Sequence, residues 1–519
     1  MNIACILHEQ ALRFGDRPAI VERDRRITFA ELDRSAGAAA DDLAEAGLAA
    51  GMRALVFSPM SIDLYTTIIG MFRLGVTAVF VDPSVEAAVL AACIGQVRPD
   101  AFVAIPRAHL LRLRSAALRE VPIKVAIGGF VPGARGVGRR SSEARRPVAP
   151  CEGSTPAIIT FTSGTTGQPK AAVRTHGFLL AQHRALVESL GLQAGDIDLT
   201  TLPIFLLANL ASGVTSIIPD ANLRAPGAID PAPVLEQIRI ERPTRTVASP
   251  AFLDRLVTHA AAGGHRLDTF ERIFTGGAPV FPSTLDAIAG VAPGASIVAV
   301  YGSTEAEPIA SIDRQDIGAS DRAAMQQGAG LLTGAPAPSI QVRILPDRWG
   351  TAIDAQMPGA FDRQALGPDR AGEIVVCGEH VLAGYFEGIG DEDTKIAVGQ
   401  HVWHRTGDAG YLDQQGRLWL LGRSAAKVSD DHGVLYPFAV ECAASDVAGV
   451  RRSAFVQRHG RRALVVELEA EGSPVRDTLL GRFAWAHLAD VLTVSRIPVD
   501  RRHNAKIDYP ALHKMIEAM

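Results

Sequence analysis

The run RALVFSP (53 to 59) is apolar, of strand length, and stopped by Pro59. IDLYTTIIGMFRLG follows with apolar residues at helical spacing, and TAVFVDP then supplies a second strand-like run closed by Asp82 and Pro83. Two strands separated by one helix predict a parallel pair, because a parallel connection must cross back over the sheet. The same alternation returns from PAIITFTSG to VYGSTE, after a Gly-, Pro-, Ser- and Arg-rich stretch (128 to 153) that reads as an exposed loop. Shorter strand-like pieces follow (VRILP, GEIVVCG, GRLWLLGR), divided by Gly and Asp turns. Beyond Arg423, VRRSAFVQRH and RRALVVELEA read as paired strands ahead of an amphipathic helix near 479 to 491.

A chain of 519 residues exceeds what one core usually holds. The predicted fold is α/β: a large N-terminal domain (1–422) of α/β subdomains plus a small β subdomain, and a small mobile α+β C-terminal domain (423–519). The net charge of -4 supplies no global basic field for nucleic acid or an anionic membrane. Cys5, Cys93, Cys151, Cys377 and Cys442 are far apart and odd in number, which predicts free thiols in a reducing cytoplasm. Glu9 and Asp16 interrupt the segment where an export signal needs an apolar core. LPIFLLANLASGVTSIIP (202 to 219) approaches spanning length, but its Pro203, Asn209 and hydroxyl residues favour a buried core element over a transmembrane segment.

The strongest chemical signal is ITFTSGTTGQPKAAVRTH (159 to 176). A strand enters a loop of Thr162, Ser163, Gly164, Thr165, Thr166 and Gly167, closed by Pro169 and Lys170. Glycines let backbone N–H groups curl around an anion, hydroxyls add donors, and the lysine adds a point charge. Pro169 excludes a Walker loop, and a surface turn has a similar composition. Lysine is scarce, with six against 46 arginines, so a lysine inside a motif stands out. VYGSTEAEP (300 to 308) groups an aromatic Tyr301, a hydroxyl at Thr304 and a carboxylate at Glu305. TGGAPVFP places Gly276, Gly277 and Ala278 where backbone can approach a flat ring. WHRTGDAGYLDQQGRLWLLGR contributes Asp408, suited to a ribose diol, and Arg423 fifteen positions later. RRHNAKIDY sets Lys506 in a polar segment, where taken singly it reads as a solvated charge.

In this order the segments resemble the acyl-adenylate-forming superfamily of acyl-CoA synthetases, luciferase-type enzymes and adenylation domains, over essentially the whole chain. The resemblance implies ATP and Mg²⁺ as cofactors and a small-molecule carboxylic acid as substrate. It implies that the 162–170 loop holds the β/γ-phosphates and that Glu305 is the metal residue. Tyr301, Gly302 and the 276–278 backbone would hold adenine, and Asp408 and Arg423 ribose. Thr304 would bond a phosphate, and Lys506 would reach the reacting carboxylate and α-phosphate. The acyl pocket falls on Phe205, Leu206 and Asn209, where no acid stands to pair an α-ammonium, so an aliphatic acid is expected.

One segment departs from the superfamily pattern. Within GRSAAKVSDDHGVLYPFAVE, Ala425 occupies the hinge position, Ser429 replaces an expected Lys, and His432 stands where Gly is expected. This leaves the use of CoA open and most resembles the β-lactone synthetases of bacterial olefin biosynthesis. Three readings remain: adenylation followed by β-lactone closure, transfer of the acyl group to CoA or an acyl carrier protein, and a non-catalytic scaffold. A scaffold has no need of Glu305, Asp408, Arg423, Lys170 and Lys506 together. Oligomeric state is not legible.

Overall fold

The computed structural model describes residues 1–82, 85–138, 146–163, 169–469, 475–500 and 506–518. The chain packs as two units, Met1–Asp220 with Glu379–Glu392, and Ala221–Gly378 with Asp393–Met519.

In the first unit the predicted α/β repeat is present. Strands Arg53–Phe57 and Thr77–Phe80 pair in parallel, and helix Ile62–Leu74 connects them. Ser61 caps that helix by accepting from the Leu64 N–H, and Gly75 ends it at a φ of 73°. The helix is buried almost all round, as its even apolar composition requires. It packs on helix Phe29–Glu45 through Gly70, where an added Cβ would lie 3.0 Å from the Ala40 nitrogen. Seven strands form this sheet in the order Arg135–Val137, Ile123–Ile127, Ala101–Ala104, Arg53–Phe57, Thr77–Phe80, Pro156–Ser163, Pro169–Thr175. All neighbours are parallel except the last pair, a hairpin in which Thr162 faces Lys170. Arg135–Val137 lies inside the stretch expected to be wholly loop, because the edge of the Ile123–Ile127 strand offers it a parallel partner.

The 202 to 219 stretch is helix Pro203–Ser212, a turn at Gly213 and strand Thr215–Ile218. Among the described residues no helix is long and apolar enough to cross a membrane.

In the second unit, parallel strands Arg245–Ala248, Arg272–Gly276 and Ser296–Ser303 continue into an antiparallel run. That run contains the expected strands Gln341–Leu345, Gly372–Cys377 and Leu418–Arg423. Further along the chain, Val450–Arg458 pairs with Arg461–Leu468, which in turn pairs in parallel with Asp490–Val494. One face of this sheet buries Phe455, Leu464 and Leu479, and the other buries Val465, Ile497 and Leu512. The helix expected near 479 to 491 is shorter and earlier, Val475–Arg482. His487 in the left-handed region and the parallel partner of Asp490–Val494 end helical structure there. All five cysteines are free, with Cys93, Cys377 and Cys442 buried.

Candidate active site

The second unit carries half of the expected residues, several of them at the ends of neighbouring strands. Strand His401–Leu412 turns into strand Leu418–Arg423 so that Asp408 and Arg423 are direct cross-strand partners. Their separation of fifteen positions is thus the length of one hairpin. Arg423 Nε lies 3.4 Å from Asp408 Oδ1, and its other end donates to the Thr406 carbonyl at 3.2 Å. Tyr301, at the end of the Ser296–Ser303 strand, donates its hydroxyl to Asp408 Oδ2 at 2.8 Å. Burial and the Asp408 charge hold the Tyr301 phenol well above its ordinary range, so it remains a donor. The Asp408 carboxylate raises the Arg423 guanidinium, which keeps its charge.

Gly276 and Gly277 end the adjacent strand. A Cβ at Gly276 would stand 2.5 Å from the Val300 carbonyl, so only glycine fits there. Gly277 has a φ of 82° and open space where a side chain would be, and Ala278 follows at partial exposure. Thr304 and Glu305 form the turn of the hairpin that joins Ser296–Ser303 to Ala306–Asp313, in which Gly302 approaches the Ala306 carbonyl. The Glu305 N–H donates to Ser303 Oγ at 3.2 Å, which fixes the turn.

Lys506 joins this group from the end of the chain. Its segment is pinned by the Asp500 N–H donating to the Lys506 carbonyl at 2.8 Å, and by a bridge between Val499 and Ile507. Tyr509 donates to the buried Glu441 carboxylate at 3.1 Å, which also accepts from the Phe455 N–H. Burial and the nearby Arg423 hold the Lys506 ammonium below the usual lysine range, against the opposing pull of Asp408, Asp500 and Glu305. The reading of Lys506 as a solvated charge is therefore corrected: this ammonium is partly buried among the charges of the site.

The first unit carries the other group. Gly164, Thr165, Thr166 and Gly167 lie outside the described residues, and Ser163 ends the strand before them. Thr162 Oγ1 donates to the Lys170 carbonyl at 3.5 Å across the hairpin. Lys170 is buried, with Nζ 3.4 Å from the Gly390 carbonyl and 5.7 Å from the Tyr385 ring centroid. Leu206 packs in the core, and Phe205 is nearly as deeply buried. The Asn209 amide, expected as the polar group of the acyl pocket, is 1% exposed. It is spent on a buried cluster, donating to Asp198 Oδ2 at 2.7 Å and to Thr200 and Ser216 hydroxyls at 3.1 Å.

Two groups escaped the sequence reading. Arg405, three positions before Asp408, is fully buried and uses all five N–H donors, two of them on Glu373. Asp347 accepts from Lys427 Nζ at 2.9 Å, the Tyr436 hydroxyl at 2.7 Å and the Trp349 N–H at 3.1 Å. Burial pushes the Asp347 carboxyl up, but these three donors outweigh it and hold it below the carboxylate range. Asp347 thereby latches both ends of the segment after Arg423, the one that departs from the superfamily pattern. Lys427 is one of the six lysines, so its rarity was a usable signal.

Asp347→Ala is expected to speed tryptic cleavage between Arg423 and Tyr436 about tenfold, because unpairing these donors costs roughly 1–3 kcal/mol of local stability. An unchanged cleavage rate would show that the latch does not hold the segment.

The family profile of the AMP-binding enzyme matches residues 7–386. The chain is 32% identical to the olefin beta-lactone synthetase of Stenotrophomonas maltophilia, over 98% of this chain and 96% of that protein. It is 33% identical to the protein of the same name in Xanthomonas campestris pv. campestris, over 93% of this chain and 90% of the relative. The amide bond synthetase McbA from Marinactinospora thermotolerans shares the fold, with a TM-score of 0.81 at 21% identity, over 99% of both chains.

Proposed function

The chain belongs to the AMP-binding enzyme family and is an adenylate-forming ligase using ATP and a carboxylic acid, and we propose that it adenylates a β-hydroxy fatty acid and closes the product to a β-lactone. The observation that supports the adenylating half is the joining of Asp408, Arg423 and Tyr301 at neighbouring strand ends, with the Lys506 ammonium held below the usual lysine range by burial and the Arg423 charge. In-line attack of the acid's oxygen on the α-phosphorus puts negative charge on phosphate oxygens, and a lysine held by a pinned segment meets that charge without reorganising.

In this reading Asp408, oriented by Tyr301 and Arg423, takes the ribose hydroxyls, since a carboxylate with two donors in place retains acceptor capacity. The Gly276–Gly277 backbone and the Tyr301 ring flank the base. Thr304 bonds a phosphate in this reading. Glu305 would hold Mg²⁺. Among the described residues no cluster of three or more His, Cys, Asp or Glu forms a metal cage. A single carboxylate suits an ion held mainly by phosphate oxygens and water. When bound, Mg²⁺ takes up charge on the departing pyrophosphate. Residues 423–519 would be the domain that delivers Lys506.

The closing half rests on the segment after Arg423 and on the named relatives. Ser429 and His432 stand in place of the thiol-ligase pattern, and Asp347 holds both Lys427 and Tyr436, which supports a segment fastened in one arrangement. Ring closure suits a fixed arrangement, because the nucleophile is already tethered to the acyl group. The β-hydroxyl oxygen attacks the acyl carbonyl, the bond to AMP breaks and the hydroxyl proton is released. The elements of water lost by the hydroxy acid appear in AMP and pyrophosphate.

Mass spectrometry of products from ATP, Mg²⁺ and matched fatty acids, with and without a β-hydroxyl and with and without CoA, tests this. A product lighter than the hydroxy acid by one water and formed without CoA is expected. A CoA thioester would overturn ring closure, and acyl-AMP alone would point to a carrier-protein acceptor.

A further inference from the structure

We propose that the surface around Leu110, Leu113 and Phe130 docks this protein on an anionic lipid bilayer. The 3₁₀ helix Leu110–Leu113 follows the turn that Pro106 begins, and none of its residues is buried. Leu111 packs partly against the core beneath, which accounts for one apolar residue there. Leu110 and Leu113 do not share that role, at 61% and 76% exposure. In a 3₁₀ helix residues three apart eclipse, so these two project from the same side. Phe130, 72% exposed, follows Gly129, whose backbone abuts Pro106 at the start of the turn that leads to Leu110: an added Cβ at Gly129 would lie 2.7 Å from Pro106 Cγ. Scattered exposed leucines need no explanation, but two on one side of a short helix, with an exposed phenylalanine on the adjoining loop, do.

The charge along this stretch of chain is one-sided. Residues 105–131 hold Arg107, Arg112, Arg114, Arg119 and Lys124 against the single acid Glu120, in a chain whose net charge is -4. No carboxylate of the described residues pairs with any of the five. Their contacts are to carbonyls instead. Arg112 donates to the His109 carbonyl, Arg119 to that of Arg112 at 3.0 Å, and Lys124 to that of Arg119 at 3.0 Å. Burial, and to a lesser degree the neighbouring Arg112, hold the Lys124 ammonium below its usual range. His109 stiffens the base of the patch, its Nε2 bonded to the Val125 carbonyl at 2.9 Å and its ring edge-on to Phe102.

Exposed apolar side chains flanked along the chain by unpaired cations fit the headgroup boundary of an anionic membrane, where each element gains. A protein partner would have to supply both an acidic rim and an apolar socket. Docking there would bring the enzyme to the phase in which long acyl chains reside. That purpose rests on the proposed substrate, but the surface and its test do not.

The test is co-sedimentation of the full chain with phosphatidylcholine vesicles, with and without phosphatidylglycerol. Binding to the anionic vesicles alone is expected, weakening with salt. L110S/L113S and R112E/R114E should each reduce partition about tenfold, while the circular-dichroism melting temperature and pyrophosphate release with a water-soluble acid stay unchanged. Absence of binding at low salt, or binding by either variant as tight as that of the unaltered chain, would overturn the proposal. So would loss of a homodimer in L110S/L113S without vesicle binding, which would assign the surface to a second copy. Failure of the function reading would appear instead as missing pyrophosphate release with vesicle binding intact.

Discussion

Lys506→Ala lowers acid-dependent pyrophosphate release by about 10²–10³-fold, the usual loss when one preorganised donor to a developing oxyanion is removed. The loss falls on kcat rather than on KM for ATP, because Tyr301, Asp408, Arg423 and the glycine backbone remain in place. The pH profile supplies an independent signature. The protonated ammonium is the active form, and burial beside Arg423 lowers its affinity for the proton. Activity in the intact enzyme therefore declines as pH rises through a value below that of a free lysine. Lys506→Arg retains charge at any such pH and moves the alkaline limb upward, with a lower plateau because a planar guanidinium does not reproduce a point charge. A profile that keeps its alkaline limb in Lys506→Arg would assign the limb to another group, and undiminished kcat in Lys506→Ala would remove Lys506 from the chemistry.

Arg405→Ala destabilises the second unit by about 3–5 kcal/mol, the range for breaking a buried ion pair by deleting one partner. The side chain is 1% exposed and its partner Glu373 is fully buried. Besides Glu373, its guanidinium serves the carbonyls of Arg348, Thr351 and Asp393, so alanine would orphan a carboxylate and three carbonyls at once. Burial already pushes the Glu373 carboxyl up despite Arg405, and without the arginine it takes up a proton rather than stay charged. Arg405 also lies over the Trp349 ring, against which Gly407 is pressed one residue before Asp408. Loss of the arginine should thus raise KM for ATP as well. Urea unfolding followed by the fluorescence of Trp349 and Trp403 measures the effect. A shift under about 1 kcal/mol would mean that relaxation or water replaces the network. R405M/E373L, which removes both charges, should recover much of the stability.

The α/β repeat was legible because it is local. Strand Arg53–Phe57, helix Ile62–Leu74 and strand Thr77–Phe80 each display their own periodicity and stop signals. The Asp408–Arg423 pair was legible for a related reason: a hairpin converts a fixed separation in sequence into adjacency in space. The helix expected near 479 to 491 was misplaced because its apolar residues serve different elements. Leu479 and Phe483 face the core from the helix and its end, while Val491 belongs to a strand whose pairing partner lies far back in the chain.

The amino-acid sequence by itself determined the α/β class, the motif order that marks an AMP-binding enzyme, and the residue types available to meet a nucleotide and an acid. Only the tertiary structure decided what several of those residues do. Asn209 looked like the polar group of an apolar pocket, yet its partners Asp198 and Ser216 commit it to a buried cluster. Lys506 looked like a surface charge, yet its pinned segment leaves it partly buried and its ammonium feels the charges of Arg423 and Asp408. Asp347 carries no local signature, and its role is defined by Tyr436, 89 positions away. Periodicity and spacing report on neighbours along the chain, whereas the protonation, burial and partner of a polar side chain depend on groups that folding brings from elsewhere.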